Sequence, residues 1–83
     1  MDFGEALHAL KSGQKTARSG WNGKGMWLAL QSPAADEPMT LPYVYMEYPK
    51  GHTAHPNGCR VPWLASQHDI LAEDWDVIKV VNT

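Results

Sequence analysis

The sequence GWNGKGM at residues 20–26 is the stretch around which the rest of the chain is organised. Its three glycines allow positive φ angles and a close approach of the backbone to a ligand. Among them lie the aromatic face of Trp21, the amide of Asn22 and the cation of Lys24. Such a loop suits a flat, polar and anionic ligand. It equally suits a tight turn with a core tryptophan beside it, and Lys24 could then simply cap the turn.

The residues before this loop predict a helix and then a short strand. Apolar residues at positions 3, 6, 7 and 10 form the stripe of an amphipathic helix, which we expect over residues 3–12. Asp2 and Glu5 fit a capping box at its start, and Gly13 fits the residue after its end. Residues 14–19 then predict a strand that leads into the loop.

The residues after the loop predict four more strands and a second helix. We expect strands over residues 26–31, 43–48, 59–63 and 75–81, irregular loops over 32–42 and 50–58, and a short helix over 66–72. This order predicts an α+β fold, in which the N-terminal helix packs on a twisted antiparallel sheet and the short helix precedes the last strand.

The strand at residues 26–31 is apolar on both of its faces. Alternation places Met26, Leu28 and Leu30 on one face and Trp27 and Ala29 on the other. A strand that is apolar on both sides is typical of a sheet covered on both sides. We therefore expect a second layer over this sheet, contributed by another subunit.

Composition bounds the class of protein. With 83 residues, of which 43% are hydrophobic, the chain is expected to form a single domain over residues 1–83. No run approaches the ~20 apolar residues of a membrane span, and no signal peptide opens the chain, so a soluble, unexported protein is expected. The single cysteine, Cys59, excludes an internal disulfide. A net charge of −2 without a basic stripe argues against binding of long nucleic acid.

The candidate catalytic and metal patterns are weak. The spacing around Lys24 does not fit a P-loop, and Met26 stands where a Ser or Thr would be useful. His52, His55 and Cys59 are close in sequence, but solvated loop histidines explain them better than a zinc site does. Ser66, His68 and Asp69 are adjacent, whereas the members of a catalytic triad converge from separate elements. The acidic residues at 73, 74 and 76 are typical of a solvated turn. We therefore expect no catalytic residue, no metal and no cofactor.

What remains is a set of residues suited to binding. Trp21 and Trp63 offer stacking surfaces, and Arg18, Lys24 and Arg60 offer positive charge for a phosphate. Directional hydrogen bonds are available from five polar side chains, namely Asn22, Asn57, Ser66, Gln67 and Asp69.

Three blocks of this sequence resemble a known family of small phage and prophage proteins. They are FGEAL at residues 3–7, ARSGWNGKGM at 17–26 and VPWLASQHDILAEDW at 61–75. Together they resemble the second Thoeris anti-defence family. The resemblance covers both ends of the chain and well over half of its length. Residues 33–55 match the family poorly.

The resemblance implies a non-enzymatic sponge in the cytoplasm of the bacterial host. Such a protein sequesters, without cleaving it, a cyclic ADP-ribose variant made by a TIR-domain defence enzyme. For some members the resemblance also implies binding of cyclic dinucleotides from CBASS at a separate site. The implied assembly is a homotetramer with pockets between subunits. By motif position, Trp21 would stack on the adenine, and Asn57 and Asp69 would contact polar groups of the ligand. An enzyme that degrades such a signal and a structural phage protein are the alternatives.

Overall fold

Residues 1–21 and 25–79, which the computed structural model describes, form two helices and five strands in the predicted order. The helices are α1 (Phe3–Lys11) and α2 (Gln67–Leu71). The strands are β1 (Lys15–Arg18), β2 (Trp27–Gln31), β3 (Tyr43–Tyr48), β4 (Cys59–Pro62) and β5 (Trp75–Ile78).

The five strands form one antiparallel sheet in the order β4-β3-β2-β1-β5. The chain crosses from one edge of the sheet to the other between β4 and β5, and α2 lies on this crossing. The predicted α+β class, with a short helix before the last strand, is confirmed.

One row of residues, paired across neighbouring strands, lies on the face of the sheet that forms the hydrophobic core. Cross-strand pairing aligns Val61 with Met46, Met46 with Leu28, Leu28 with Thr16, and Thr16 with Val77. Leu28 and Met46 are buried together with Trp75 and with residues of α1. Met26 and Leu30 pack against the same core, on the face that alternation predicts.

The first helix is defined by the capping signals seen in the sequence. The Glu5 N–H donates to Asp2 Oδ1 at 2.8 Å, and the Asp2 N–H donates to Glu5 Oε1 at 3.1 Å. The helix ends at Lys11, one residue before the predicted end, and Gly13 takes a positive φ of 88° after it. Ala6 and Leu10 point into the core.

The other side of the sheet, called the open face here, carries Trp27, Ala29, Tyr45 and Arg60 with their neighbours. The Lys15 Nζ lies 4.2 Å from the centre of the Trp27 ring, and the Arg60 guanidinium lies 5.2 Å from the centre of the Tyr45 ring. Aromatic and aliphatic side chains thus occupy both faces of β2, as predicted. A second subunit over this face stays a prediction.

The strand ends differ slightly from the predicted bounds. β1 is shorter than residues 14–19 at both ends, and β4 ends one residue before Trp63, whose N–H still donates to the Val44 carbonyl at 3.0 Å. β5 ends at Ile78 and does not include residue 79, whereas the predicted closing strand extends to residue 81. Residues 80–83 lie outside the described range, as do Asn22, Gly23 and Lys24.

Candidate functional site

Trp21 lies at the rim of a cluster of tryptophan rings. Its ring meets the Trp75 ring edge-on, with centroids 5.4 Å apart, and the Trp63 ring at 6.5 Å. Trp75 is only 2% exposed, whereas Trp21 is half-buried. Trp21 therefore packs partly against the core, while part of its surface stays accessible.

The Asp69 carboxylate at the start of α2 gathers four hydrogen bonds. Its Oδ1 accepts from Arg18 Nη1 at 2.9 Å and from Trp21 Nε1 at 3.3 Å. Its Oδ2 accepts from the Ser66 hydroxyl at 2.8 Å and from the Ser66 N–H at 3.1 Å. Since the Asp69 N–H donates back to the Ser66 hydroxyl at 3.1 Å, this pair is the capping box predicted for α2.

Arg18 connects Asp69 to a second carboxylate, that of Asp74. Its Nε donates to Asp74 Oδ1 at 2.8 Å, while its Nη1 bonds Asp69. The other Asp74 oxygen accepts from the Gly20 N–H at 2.7 Å. We call Arg18, Asp69 and Asp74 the Arg18 clamp, because they tie the end of β1 to α2 and to the start of β5.

The clamp shifts the acidity of all three groups. The hydrogen bond from Arg18 is the main cause that lowers the pKa of Asp74. Burial raises the pKa of Asp69, but the hydrogen bonds from Arg18, Ser66 and Trp21 outweigh it, so this pKa also lies below its ordinary value. The bonds to Asp74 and Asp69 raise the pKa of Arg18. One guanidinium against two carboxylates leaves the clamp with one net negative charge at neutral pH.

A cavity of about 300 Å³ opens beside Trp21. Trp27 also lines it, so that rings from the loop and from β2 contribute to the same concavity. The remaining lining residues, all described, are Ala17, Arg18, Ser19, Gly25, Met26 and Ile78. This volume is at the low end for small-molecule sites, which span ~300–1,000 Å³. A cavity of this volume encloses only part of a dinucleotide-sized molecule.

The sequence-predicted binding residues divide into separate groups. Trp21, Trp63, Ser66 and Asp69 come together around α2 and the tryptophan cluster. Gln67 lies beside Arg18 and His68 in a shallow hollow of about 290 Å³. Asn57 is exposed in the loop before β4. Asn22 and Lys24 lie outside the described residues.

Arg60 lies on the open face and not beside Trp21. Its side chain pairs with Glu47 at 3.3 Å and covers the Tyr45 ring. Together with Tyr43 it lines a second cavity of about 430 Å³, bordered by Gln31, Glu37, Pro38, Val61 and Pro62. Arg60 therefore belongs to a different surface from the group of Trp21, Trp63, Ser66 and Asp69.

The histidine loop and the Ser66 hydroxyl are engaged in local structure. The rings of His52 and His55 pack on Tyr48, with centroids 4.8 and 4.7 Å away. Residues 1–21 and 25–79 contain no group of three or more His, Cys, Asp or Glu side chains placed to hold a metal ion. The Ser66 hydroxyl caps α2 by its exchange of hydrogen bonds with Asp69.

Two residues of the site, Trp27 and Asp74, were not selected from the sequence. The sequence predicts Trp27 on a covered sheet face, and in the structure it also lines the Trp21 cavity. The sequence predicts Asp74 in a solvated acidic turn, whereas in the structure its carboxylate accepts hydrogen bonds from Arg18 and from the Gly20 N–H. The sequence does contain one signal for Asp74. Arg18 lies near the end of one predicted strand, and Asp74 directly precedes another. Two antiparallel strands that pair can bring these ends together.

Comparison with known proteins gives two matches. The model of a protein family described as "Thoeris anti-defense 2-like domain" matches residues 1–78. The protein "Thoeris anti-defense 2" of Bacillus phage SP01 is 37% identical over 91 aligned positions, and the alignment covers 94% of each chain. The described helices include none that is long and apolar enough to cross a membrane.

Proposed function

The chain belongs to the Thoeris anti-defense 2-like family, and from this premise we propose that it holds a cyclic ADP-ribose-type immune signal without cleaving it. Membership itself implies an anti-defence role, and the relative is a phage protein. The proposed action is stoichiometric binding in the cytoplasm of the infected bacterium, which keeps the signal from its effector.

The observation that carries this proposal is a partly exposed tryptophan ring, that of Trp21, beside an open cavity. Stacking of a base on an aromatic side chain contributes ~1–3 kcal/mol. The residues that line the cavity in the described part of the chain include no His, Cys, Asp or Glu. Such a lining favours binding over acid–base or nucleophilic chemistry.

The required affinity is within reach of a ligand of this size. A ligand of ~35 heavy atoms at ~0.3 kcal/mol per atom reaches about −10 kcal/mol. This corresponds to a Kd of roughly tens of nanomolar. A sponge needs such tight binding because it inactivates only one signal molecule per site.

A second copy of the chain would complete the site. The cavity is small, and the charge of Arg18 is already compensated by two carboxylates. The diphosphate group of a cyclic ADP-ribose-type ligand therefore needs further cations, from Lys24 or from another subunit. We propose a homo-oligomer, a tetramer as the family resemblance implies, with Trp21 stacking on the adenine and Asn57 contacting polar groups.

A binding-and-release experiment tests the proposal. The products formed from NAD⁺ by a TIR-domain enzyme are mixed with the protein, the complex is separated, and the protein is then heat-denatured. Recovery of the intact cyclic ADP-ribose isomer supports sequestration. New products that accumulate beyond one per site would establish an enzyme instead, and no bound nucleotide with no change in Tm would favour a structural protein.

Substitution of Trp21 gives the matching prediction. Trp21→Leu keeps an apolar side chain against Trp75 but removes the stacking face, so binding should weaken about 5- to 150-fold. Trp21→Ala should weaken it at least as much. His8→Ala on the exposed side of α1 is the control, with unchanged Kd and Tm. Full-strength binding by folded Trp21→Leu would contradict the proposed stacking.

The Arg60 cavity supports a separate site for cyclic dinucleotides. It offers a cation beside two tyrosine rings on the sheet face opposite to α1. If this assignment is right, Arg60→Ala weakens binding of cyclic dinucleotides while Trp21→Leu does not. Equal loss in both variants would instead indicate one shared site.

A further inference from the structure

We propose that Asp69 is a positioning residue of the ligand site, which together with Arg18 holds the Trp21 ring in place and does not itself touch the ligand. The inference rests on the proposed function, in which Trp21 is the stacking surface. It assigns Asp69 a different role from the direct ligand contact that the family resemblance implies.

The Asp69 carboxylate has its hydrogen-bonding capacity filled from within the described part of the chain. An ionised carboxylate offers about four lone-pair positions. Arg18 and Trp21 donate to one oxygen, and the hydroxyl and N–H of Ser66 donate to the other. The residue is also only 8% exposed. A ligand donor would therefore have to displace one of these four bonds.

Arg18 fixes the backbone that leads into Trp21. Its fork joins Asp69 to Asp74, and Asp74 in turn accepts from the Gly20 N–H at 2.7 Å. The Ser19 N–H donates to the Asp74 carbonyl at 3.1 Å, and the Trp21 N–H donates to the Arg18 carbonyl at 3.3 Å. Residues 18–21 are thus attached to α2 and to the start of β5.

Trp21 is consequently held at two points. Its backbone is fixed through the Arg18 clamp, and its indole Nε1–H is fixed by Asp69. A side chain that is ordered before binding loses less conformational freedom when the ligand arrives. Releasing the ring should therefore weaken binding by about 2- to 12-fold, even though the stacking surface is intact.

The first test observes the indole without any ligand. In isotope-labelled protein, Trp21→Phe removes one indole N–H resonance and thereby assigns it. Asp69→Asn and Arg18→Lys should each shift this resonance and speed its hydrogen exchange. Asp76→Asn is the matched control, because its exposed carboxylate accepts from the backbone N–H of Val77. An unchanged Trp21 resonance in folded Asp69→Asn and Arg18→Lys would overturn the proposal.

The second test is a double-mutant cycle on the Kd for the cyclic ADP-ribose isomer. Trp21→Phe keeps an aromatic face but has no N–H for Asp69 to hold. If Asp69 acts through Trp21, Asp69→Asn should weaken binding in the parent protein and change it less than about twofold in the Trp21→Phe background. Multiplicative losses would show that Asp69 contacts the ligand directly, against the proposal.

The two tests separate this inference from the proposed function. If the parent protein binds no cyclic ADP-ribose isomer, the proposed function fails, while the indole resonance still shows whether the clamp holds the ring. If the parent binds and the cycle is multiplicative, the positioning role fails and the proposed function stands. Tm values of all variants verify that each is folded.

Discussion

Thr16 places a hydroxyl in the core that finds no hydrogen-bond partner among the described residues. The residue is fully buried on β1, between Leu28 and Val77. A buried polar group without a partner costs roughly 1–3 kcal/mol. Its neighbours in the sheet are aliphatic, so a methyl group would suit the position better than the hydroxyl does.

Thr16→Val should therefore stabilise the protein. The substitution keeps the β-branched shape and removes the unpaired hydroxyl, so we expect about 1 kcal/mol and a rise in Tm of roughly 4–8 °C. Thermal and urea unfolding measure it, with Thr40→Val in the exposed loop after β2 as the control. A destabilised Thr16→Val would show that the hydroxyl is satisfied, for example by a buried water.

For single residues, short sequence patterns predict the local role well, but they do not predict which distant residues lie around it. The Asp2 and Ser66 caps follow from their own short segments, and the structure has both. Arg60 could not be placed by the same means, because its relation to Trp21 depends on which sheet face β4 presents. The partners of Arg18 lie 51 and 56 residues away in sequence, so no local pattern shows them.

Among the elements, α2 depends most on tertiary contacts. It has five residues, too few for a helix that is stable alone. The Trp75 Nε1 donates to the Asp69 carbonyl at 2.9 Å, and Arg18 holds the Asp69 side chain. Its amino-acid sequence predicts the cap, but its stability comes from β1 and β5.

Acid should weaken the attachment of α2 and β5 to β1. The clamp lowers the pKa values of Asp69 and Asp74 in the folded state, whereas an unfolded Asp titrates near ~3.9. The stabilisation is therefore complete above that unfolded value and is lost as the pH falls through the folded values. Urea unfolding should show stability that declines from about pH 5 downward.

Asp74→Asn provides the comparison for this pH dependence. It removes one of the two titrating carboxylates, so its stability should fall less steeply over the same range. Asp76→Asn removes an exposed carboxylate outside the clamp and should keep the parent slope. The same slope in Asp74→Asn as in the parent would contradict a stabilising role for the clamp.

At the scale of the whole molecule, the sheet has two very different sides. One side is packed against α1, whereas the open face keeps a half-buried Trp27 and Tyr45 beneath Lys15 and Arg60. The cations, together with Glu47 and Asp76 on the same face, give it mixed charge. We propose that this face pairs with a second copy of the chain, since a face of mixed charge allows an isologous pairing.

Tyr45→Glu should therefore reduce the size of the assembly. A carboxylate in the centre of the open face would be desolvated by a second copy, so we expect dissociation to smaller species with an unchanged far-UV CD spectrum. Light scattering on a size-exclusion column measures this. Lys11→Gln at the end of α1 changes the net charge by the same one unit and is the control. An unchanged mass for Tyr45→Glu would place the interface elsewhere.

The element order and the antiparallel class could be predicted from the sequence, but the strand order could not. Periodicity identifies strands one at a time, whereas the placement of β5 beside β1 is fixed by contacts such as those of Trp75 and Arg18. For the same reason the two cavities and their separate linings emerge only from the assembled sheet.

The two outermost strands bear on how this protein behaves when it is abundant. β4 and β5 have four residues each, and β4 contains the exposed Arg60 and Pro62, the latter without an N–H. Short edge strands that carry charged residues or a proline are poor templates for the pairing of further strands. The stoichiometric binding proposed here would require the protein to accumulate to a concentration comparable with that of its ligand. These edge strands favour accumulation as discrete particles and disfavour growth into fibrils.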